Sequence, residues 1–152
     1  MKKFFTMIIA LGAIFSFTAC SDDDNTKNQQ NEESYSLTAT PLDGSQFTAF
    51  EDSEARFSLN EDTEAGDGTM ILLMEQVKFV EQMPRITIDA PGITLDAKGE
   101  FTASALVPRF NGTEMAQYTL ANFTLKADYN KGTLKVSFDC FTMHVEYEGT
   151  LK

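Results

Sequence analysis

The chain has 152 residues, of which 42% are hydrophobic and 23% are charged, and its 23 acidic side chains outnumber 12 basic ones. This length and composition are typical of one globular domain with a substantial core. The formal net charge of -11 argues against nucleic acid and anionic lipid headgroups as partners, because an acidic surface repels both.

The N-terminus has the features of a targeting segment. A basic start at Lys2 and Lys3 precedes an apolar stretch, residues 4–17, that is too short to span a bilayer comfortably. A small-residue cleavage site, FTAC, then ends at Cys20. We expect residues 1–19 to be a signal peptide and the freed cysteine to carry two or three acyl chains, which give stable anchoring. A plain secretory peptide and a retained transmembrane helix are the alternatives.

An acidic cluster, Ser21, Asp22, Asp23 and Asp24, directly follows this cysteine. It resembles the export signal of surface-exposed lipoproteins of Bacteroidetes-type bacteria. The resemblance implies an outer-membrane lipoprotein that faces the cell exterior, whereas the alternative is a solvated spacer. After the cysteine, residues 21–34 contain no aliphatic or aromatic side chain, so that residues 20–34 consist of the lipidated cysteine and a polar segment. They are therefore predicted to be a disordered acidic tether.

From residue 35 onward, short apolar–polar alternation interrupted by turn residues predicts a single all-β domain over residues 35–152. About eight or nine antiparallel strands fit this length. The predicted strands cover residues 35–40, 56–59, 70–80, 86–88, 93–95, 100–103, 123–129, 134–140 and 141–151, with turns at 41–45, 96–99 and 130–132 and an acidic loop at 60–68.

Two of these strands carry finer predictions. Residues 70–80 also fit a helical stripe, but they lack a good cap before them and Pro84 follows, so a strand with Leu73 and Val77 on one face is preferred. The apolar parity changes between Cys140 and Phe141 without glycine or proline. This slip predicts a β-bulge or sharp bend there, a feature typical of barrels and curled sandwiches.

The lipoprotein signal, a G-T-apolar-V-K-F strand at residues 68–79, the M-P…I-D-A-P-G-I segment at 83–93 and the final E-G-T-L at 148–151 resemble the calycin-like small lipoproteins of Bacteroidetes-type bacteria. The resemblance covers most of residues 68–151. It implies an antiparallel meander barrel of lipocalin type, about eight-stranded, with room for an internal ligand; a β-sandwich is the alternative. The chain has no tryptophan, so the Gly-x-Trp motif of true lipocalins is absent.

No constellation for catalysis is predicted. His144 lies on the polar parity of its strand and Cys140 on the opposite face, so they cannot form a nucleophile and its base. We expect this cysteine to be a small buried hydrophobe. Because Cys20 is expected to carry lipid, we expect no disulfide. One histidine without a cysteine pair makes no typical zinc site.

The acidic segment 51–67 contains enough carboxylates to suggest a calcium site. Asn60, Asp62 and Glu64 imitate the start of an EF-hand loop, but alanine and isoleucine occupy the positions that require glycine and glutamate. A solvated loop is therefore favoured over a weak surface calcium site.

We therefore predict a non-enzymatic surface lipoprotein without cofactor or metal, anchored to the membrane through Cys20. Its domain is predicted to bind a small apolar or amphiphilic ligand, or a glycan, through residues that the sequence does not identify. The alternative is a non-catalytic accessory subunit of a cell-envelope protein complex.

Overall fold

Along the strands of the observed fold, side chains point alternately into the core and toward solvent. A computed structural model describes residues 33–152, so the predicted signal peptide, Cys20 and the acidic cluster 21–24 lie outside the described residues. The described part contains eleven strands and one short 3-10 helix, Ala116–Tyr118. The strands are β1 (Ser36–Pro41), β2 (Phe50–Asp52), β3 (Arg56–Glu61), β4 (Met70–Val77), β5 (Ile86–Ile93), β6 (Glu100–Leu106), β7 (Arg109–Phe110), β8 (Thr113–Glu114), β9 (Leu120–Asp128), β10 (Thr133–Cys140) and β11 (Met143–Thr150).

The strands form two antiparallel sheets. Sheet A has six strands in the order β2-β1-β11-β10-β9-β6, and sheet B has five in the order β3-β4-β5-β7-β8. The prediction of an antiparallel all-β domain is confirmed. Within residues 33–152 neither sheet closes into a barrel, and the arrangement fits the sandwich alternative.

The interior is filled by aromatic and aliphatic side chains from both sheets. Phe57, Phe79, Phe123 and Phe138 are each at most 2% exposed. The rings of Phe79 and Phe138 meet edge to face with centroids 5.3 Å apart, and that of Phe123 stacks on Phe138 at 6.2 Å. Such aromatic pairs contribute beyond the area that they bury. The packed core accounts for the regular apolar alternation of the strands.

One aromatic pair joins the two sheets directly. Tyr147 on β11 and Phe57 on β3 stack with centroids 4.0 Å apart, and the Phe57 backbone N–H donates a 3.1 Å hydrogen bond to the Tyr147 hydroxyl. Gly149 leaves room for this hydroxyl, since a Cβ there would overlap it and would lie 2.9 Å from the Tyr35 ring. The glycine of the C-terminal E-G-T-L segment is therefore a packing requirement.

A partly buried ion pair is the second link between the sheets. Asp52 of β2 accepts hydrogen bonds from Arg85 at 2.7 and 3.1 Å, and the same guanidinium donates to the Gln76 carbonyl of β4 at 2.8 Å. Burial alone would raise the pKa of Asp52. The hydrogen bonds from Arg85 and from the backbone N–H of Glu54 outweigh it, so this pKa lies below its ordinary value.

The strand predicted over residues 70–80 is confirmed as far as Val77, where β4 ends, but the predicted face is wrong. Leu72 and Met74 are buried, whereas Leu73 is only half-buried. Gln76 adopts a left-handed conformation, φ 55°, and the β4–β5 register shifts between Met74 and Val77. This irregularity lets Val77 also reach the core, so no single parity covers the strand.

The bend predicted at Cys140 is a hairpin turn instead. Phe141 and Thr142 form its two central residues, with φ values of 51° and 60°, and Cys140 pairs with Met143. A two-residue hairpin of type I′ requires positive φ at both positions and usually has asparagine, aspartate or glycine there. A phenylalanine and a threonine carry no such signal, which explains the wrong prediction.

The sequence also suggests that the strands on either side of the predicted turn at residues 96–99 pair as a hairpin, and this prediction is wrong beyond the turn. The turn exists, because the Asp96 N–H donates to the Glu100 carbonyl at 2.9 Å. The strand after it, β6, pairs with β9 rather than with the preceding strand. The chain crosses from sheet B to sheet A at this point, and alternation alone cannot predict such a crossing.

Replacing Tyr147 by phenylalanine should destabilise the domain, because the buried Phe57 N–H would lose its acceptor. We expect the free energy of unfolding, measured by urea titration, to fall by about 1–3 kcal/mol. Tyr129→Phe is the matched control, since this side chain is 64% exposed, and it should leave stability unchanged. Equal losses in the two variants would contradict the role of the hydroxyl.

Replacing Asp52 by asparagine should reduce stability in a pH-dependent way. A lowered folded-state pKa stabilises the fold above the ordinary value of 3.8, and this contribution is lost as the pH falls through the folded-state value. We expect a loss of about 1–3 kcal/mol at pH 7 that shrinks toward low pH, measured by urea unfolding at several pH values. Asp43→Asn, in an exposed loop, is the control, and a pH-independent difference for Asp52→Asn would refute the assignment.

Candidate functional site

The outward-facing side chains of sheet A align in rows across five strands. In an antiparallel sheet, residues in register lie side by side, and alternate residues share a face. The hydroxyl row consists of Thr38, Glu146, Ser137, Thr124 and Thr102, and the charged row consists of Ser36, Glu148, Lys135, Lys126 and Glu100.

These two rows line an open groove of about 510 Å³ on the outer face of sheet A. At its centre, the Thr124 and Ser137 hydroxyls are hydrogen-bonded to each other at 2.8 Å. Leu125, Val136 and Tyr147 also contribute to the lining, although their side chains are buried on the opposite face. The walls of the groove are therefore polar side chains, and its floor is strand backbone.

The charged row is held together by ion pairs within the sheet. Lys126 donates to Glu100 at 2.6 Å and Lys135 donates to Glu148 at 2.9 Å. The two lysines are directly opposite each other, a like-charge placement that is unfavourable unless each ammonium has its own counter-ion. The hydrogen bond to Glu100 raises the pKa of Lys126. This row thus carries charged donors and acceptors that balance to zero net charge.

The groove continues toward an exposed aromatic ring. A second depression, of about 410 Å³, is lined by Lys126, Tyr129 and Asn130 together with the turn at residues 95–99. The strand predicted over residues 123–129 ends at Asp128, and the Tyr129 side chain beyond it is 64% exposed. Lys126 lines both depressions, so the second depression adjoins the groove at this side chain.

At the other end of sheet A, His144 is part of a hydrogen-bonded group. Its Nδ1 lies 2.7 Å from Asp139, whose other carboxylate oxygen accepts a 2.7 Å hydrogen bond from Asn122. Partial burial would raise the pKa of Asp139, but these two hydrogen bonds hold it below the ordinary value. Sequence reasoning placed His144 correctly on the polar face. The contact of His144 with Asp139 could not be predicted, because these two residues face each other only across the hairpin turn at Phe141 and Thr142, which the sequence does not indicate.

Cys140 is buried, as expected, with its thiol near the Tyr118 carbonyl at 3.7 Å. Burial raises the pKa of this thiol to about 12, so it is protonated at neutral pH and is a poor nucleophile. It lies on the opposite face of sheet A from His144. The two residues therefore form no nucleophile–base pair.

The acidic loop is organised by its own backbone. Asp62 is buried, and its carboxylate accepts hydrogen bonds from the N–H groups of Glu64 at 3.1 Å and Ala65 at 3.0 Å. Among residues 33–152, no group of three or more His, Cys, Asp or Glu side chains is placed to hold a metal ion. The same residues include no helix that is long and apolar enough to cross a membrane.

Comparisons with protein-family models, with curated proteins and with solved structures give no match to this chain. The chemistry of the groove is therefore the basis on which its ligand can be inferred.

Proposed function

We propose that this protein is a non-enzymatic lipoprotein of the outer membrane, exposed at the cell exterior, whose described domain binds a glycan in the groove of sheet A. The observation that carries the proposal is the hydroxyl row beside the charge-balanced row, continuing to an exposed tyrosine. A saccharide presents many hydroxyl groups, each both donor and acceptor, together with apolar ring faces. Ion-paired lysines and glutamates supply charge-assisted donors and acceptors, and an aromatic ring offers a flat apolar surface.

The packing of the core favours a glycan over an apolar ligand. Four phenylalanines occupy the space between the sheets, whereas the groove of sheet A is open and lined by hydroxyl and charged side chains. Because its lysines are each paired with a glutamate, the groove suits a neutral oligosaccharide better than a strongly acidic one. A non-catalytic role agrees with a buried, protonated Cys140 and a His144 held by Asp139.

The kinship with calycin-like lipoproteins is part of the proposal. The meander order of β9, β10 and β11, and that of β3, β4 and β5, supports it. For this chain we propose an open, two-sheet form of that plan rather than a closed eight-stranded barrel. The ligand site then lies on the outside of the sheet instead of inside a cavity.

Replacing Thr124 by valine should weaken glycan binding, because it removes a central hydroxyl while keeping the branched shape. We expect the Kd for a neutral oligosaccharide selected from a glycan array to rise about tenfold, equivalent to about 1.4 kcal/mol, by titration calorimetry. Tyr129→Ala should cause a similar loss. Thr113→Val on β8 of sheet B is the control. Absence of binding to every glycan tested would overturn the proposal.

Replacing Cys20 by alanine should abolish lipid attachment. We expect a labelled fatty acid to be incorporated into the wild-type protein and into Cys140→Ala, but not into Cys20→Ala, which should also leave the outer-membrane fraction. Neutralising Asp22, Asp23 and Asp24 to asparagine should preserve the label but protect the protein from protease added to intact cells. Unchanged labelling of Cys20→Ala would refute the anchor.

A further inference from the structure

The two sheets have four outer edges, and three of them are poor templates for another strand. Soluble proteins block open sheet edges with short strands, charges, prolines or bulges. β2 is three residues long with two acids, and β8 has two residues. β3 carries a charged residue at each end, Arg56 and Glu61, and the exposed side chain of Asn60 precedes Glu61. These edges carry the usual protection.

The β6 edge of sheet A lacks this protection. β6 has seven residues, and after Glu100 it contains neither a charge nor a proline. No residue of β6 has a positive φ, and its pairing with β9 keeps one register from end to end. Thr102, Ser104 and Ala105 are exposed. This strand is therefore regular, accessible and open to pairing.

The ladder on the other side shows which backbone groups of β6 are free. The Ala127 N–H donates to the Gly99 carbonyl at 2.8 Å, so in an antiparallel ladder the odd-numbered residues of β6 bond to β9 and the even-numbered ones point outward. Glu100, the first even-numbered residue, agrees with this: its N–H donates to the Asp96 side chain at 2.9 Å and its carbonyl accepts from the Asp96 N–H.

Three outward-pointing residues remain. Within residues 33–152, the backbone N–H and C=O groups of Thr102, Ser104 and Leu106 have no hydrogen-bond partner on this side. Three adjacent pairs of donors and acceptors at the spacing of a strand are matched by another extended strand.

We propose that β6 pairs antiparallel with β6 of a second copy of this chain, about a two-fold axis at Ser104. In this register Ser104 lies opposite Ser104 of the second copy, and Thr102 lies opposite Leu106. Each of the three free residues then exchanges both backbone hydrogen bonds. The same residues serve both copies, as a two-fold interface requires.

The side chains suit this self-pairing. Ala103 lies opposite Ala105, and Phe101 lies opposite Val107, an aromatic and β-branched pair of the kind that stabilises sheets. Glu100 lies opposite Pro108, so no like charges face each other. A second copy therefore fits this edge, because β6 in this register complements itself and sets no like charges opposite each other. Glu100 and Thr102 also line the groove, so two glycan sites would share one continuous outer face.

Cysteine cross-linking tests the register in the full chain carrying Cys20→Ala, in which the remaining Cys140 is buried. Paired Cα atoms in such a ladder lie about 5.5 Å apart, within disulfide range, so Ser104→Cys should give a covalent dimer on mild oxidation. Thr102→Cys is the matched control, because its two copies would lie about 13 Å apart. We expect at least fivefold more dimer for Ser104→Cys on a non-reducing gel.

Sedimentation velocity without oxidant provides the second measurement. The chain carrying Cys20→Ala should show a concentration-dependent dimer, and the same chain with Ser104→Lys, which sets two ammonium groups opposite each other, should be monomeric. Equal cross-linking at the two positions, or a Cys20→Ala chain that stays monomeric at the highest concentration, would overturn the dimer. Neither measurement uses a glycan, so their failure is distinct from failure of the proposed function.

Discussion

The stacking of Tyr147 on Phe57 connects the two sheets. Tyr147 belongs to β11, the strand on which both the core and the groove depend. β11 alternates between the two surfaces of sheet A: Val145, Tyr147 and Gly149 face inward, while Glu146 and Glu148 face the groove. A shift of β11 by one residue would exchange these sets and place carboxylates in the core. The buried tyrosine, with the glycine that makes room for it, thereby holds Glu146 of the hydroxyl row and Glu148 of the charged row in place.

The regular strands could be predicted from the sequence because burial on one face leaves a strict alternation. This holds for β1, for β10 and for β9 from Phe123 to Ala127, where apolar residues occupy every second position. The predictions failed where a residue other than glycine adopts positive φ, as Gln76, Phe141 and Thr142 do. At those positions tertiary packing overrides local preference, and no sequence pattern marks the change.

The groove could not be predicted for a different reason. Its side chains come from β1, β6, β9, β10 and β11, and each looks like an ordinary solvent-facing residue in its own strand. They form rows only through the order and register of sheet A, including the pairing of β6 with β9 across an intervening hairpin. Composition was also misleading, since an acidic chain nonetheless carries a surface on which Lys126 and Lys135 are balanced by their glutamate partners.

The position of β1 bears on how the domain withstands mechanical load. Glu33 and Lys152 form a 3.0 Å ion pair, so the described chain begins and ends at one place, next to the first residue of β1. β1 is an interior strand, paired with β11 from Ser36 to Pro41 and with β2 on its other side. A pull applied at residue 33 is therefore shared between two ladders of hydrogen bonds.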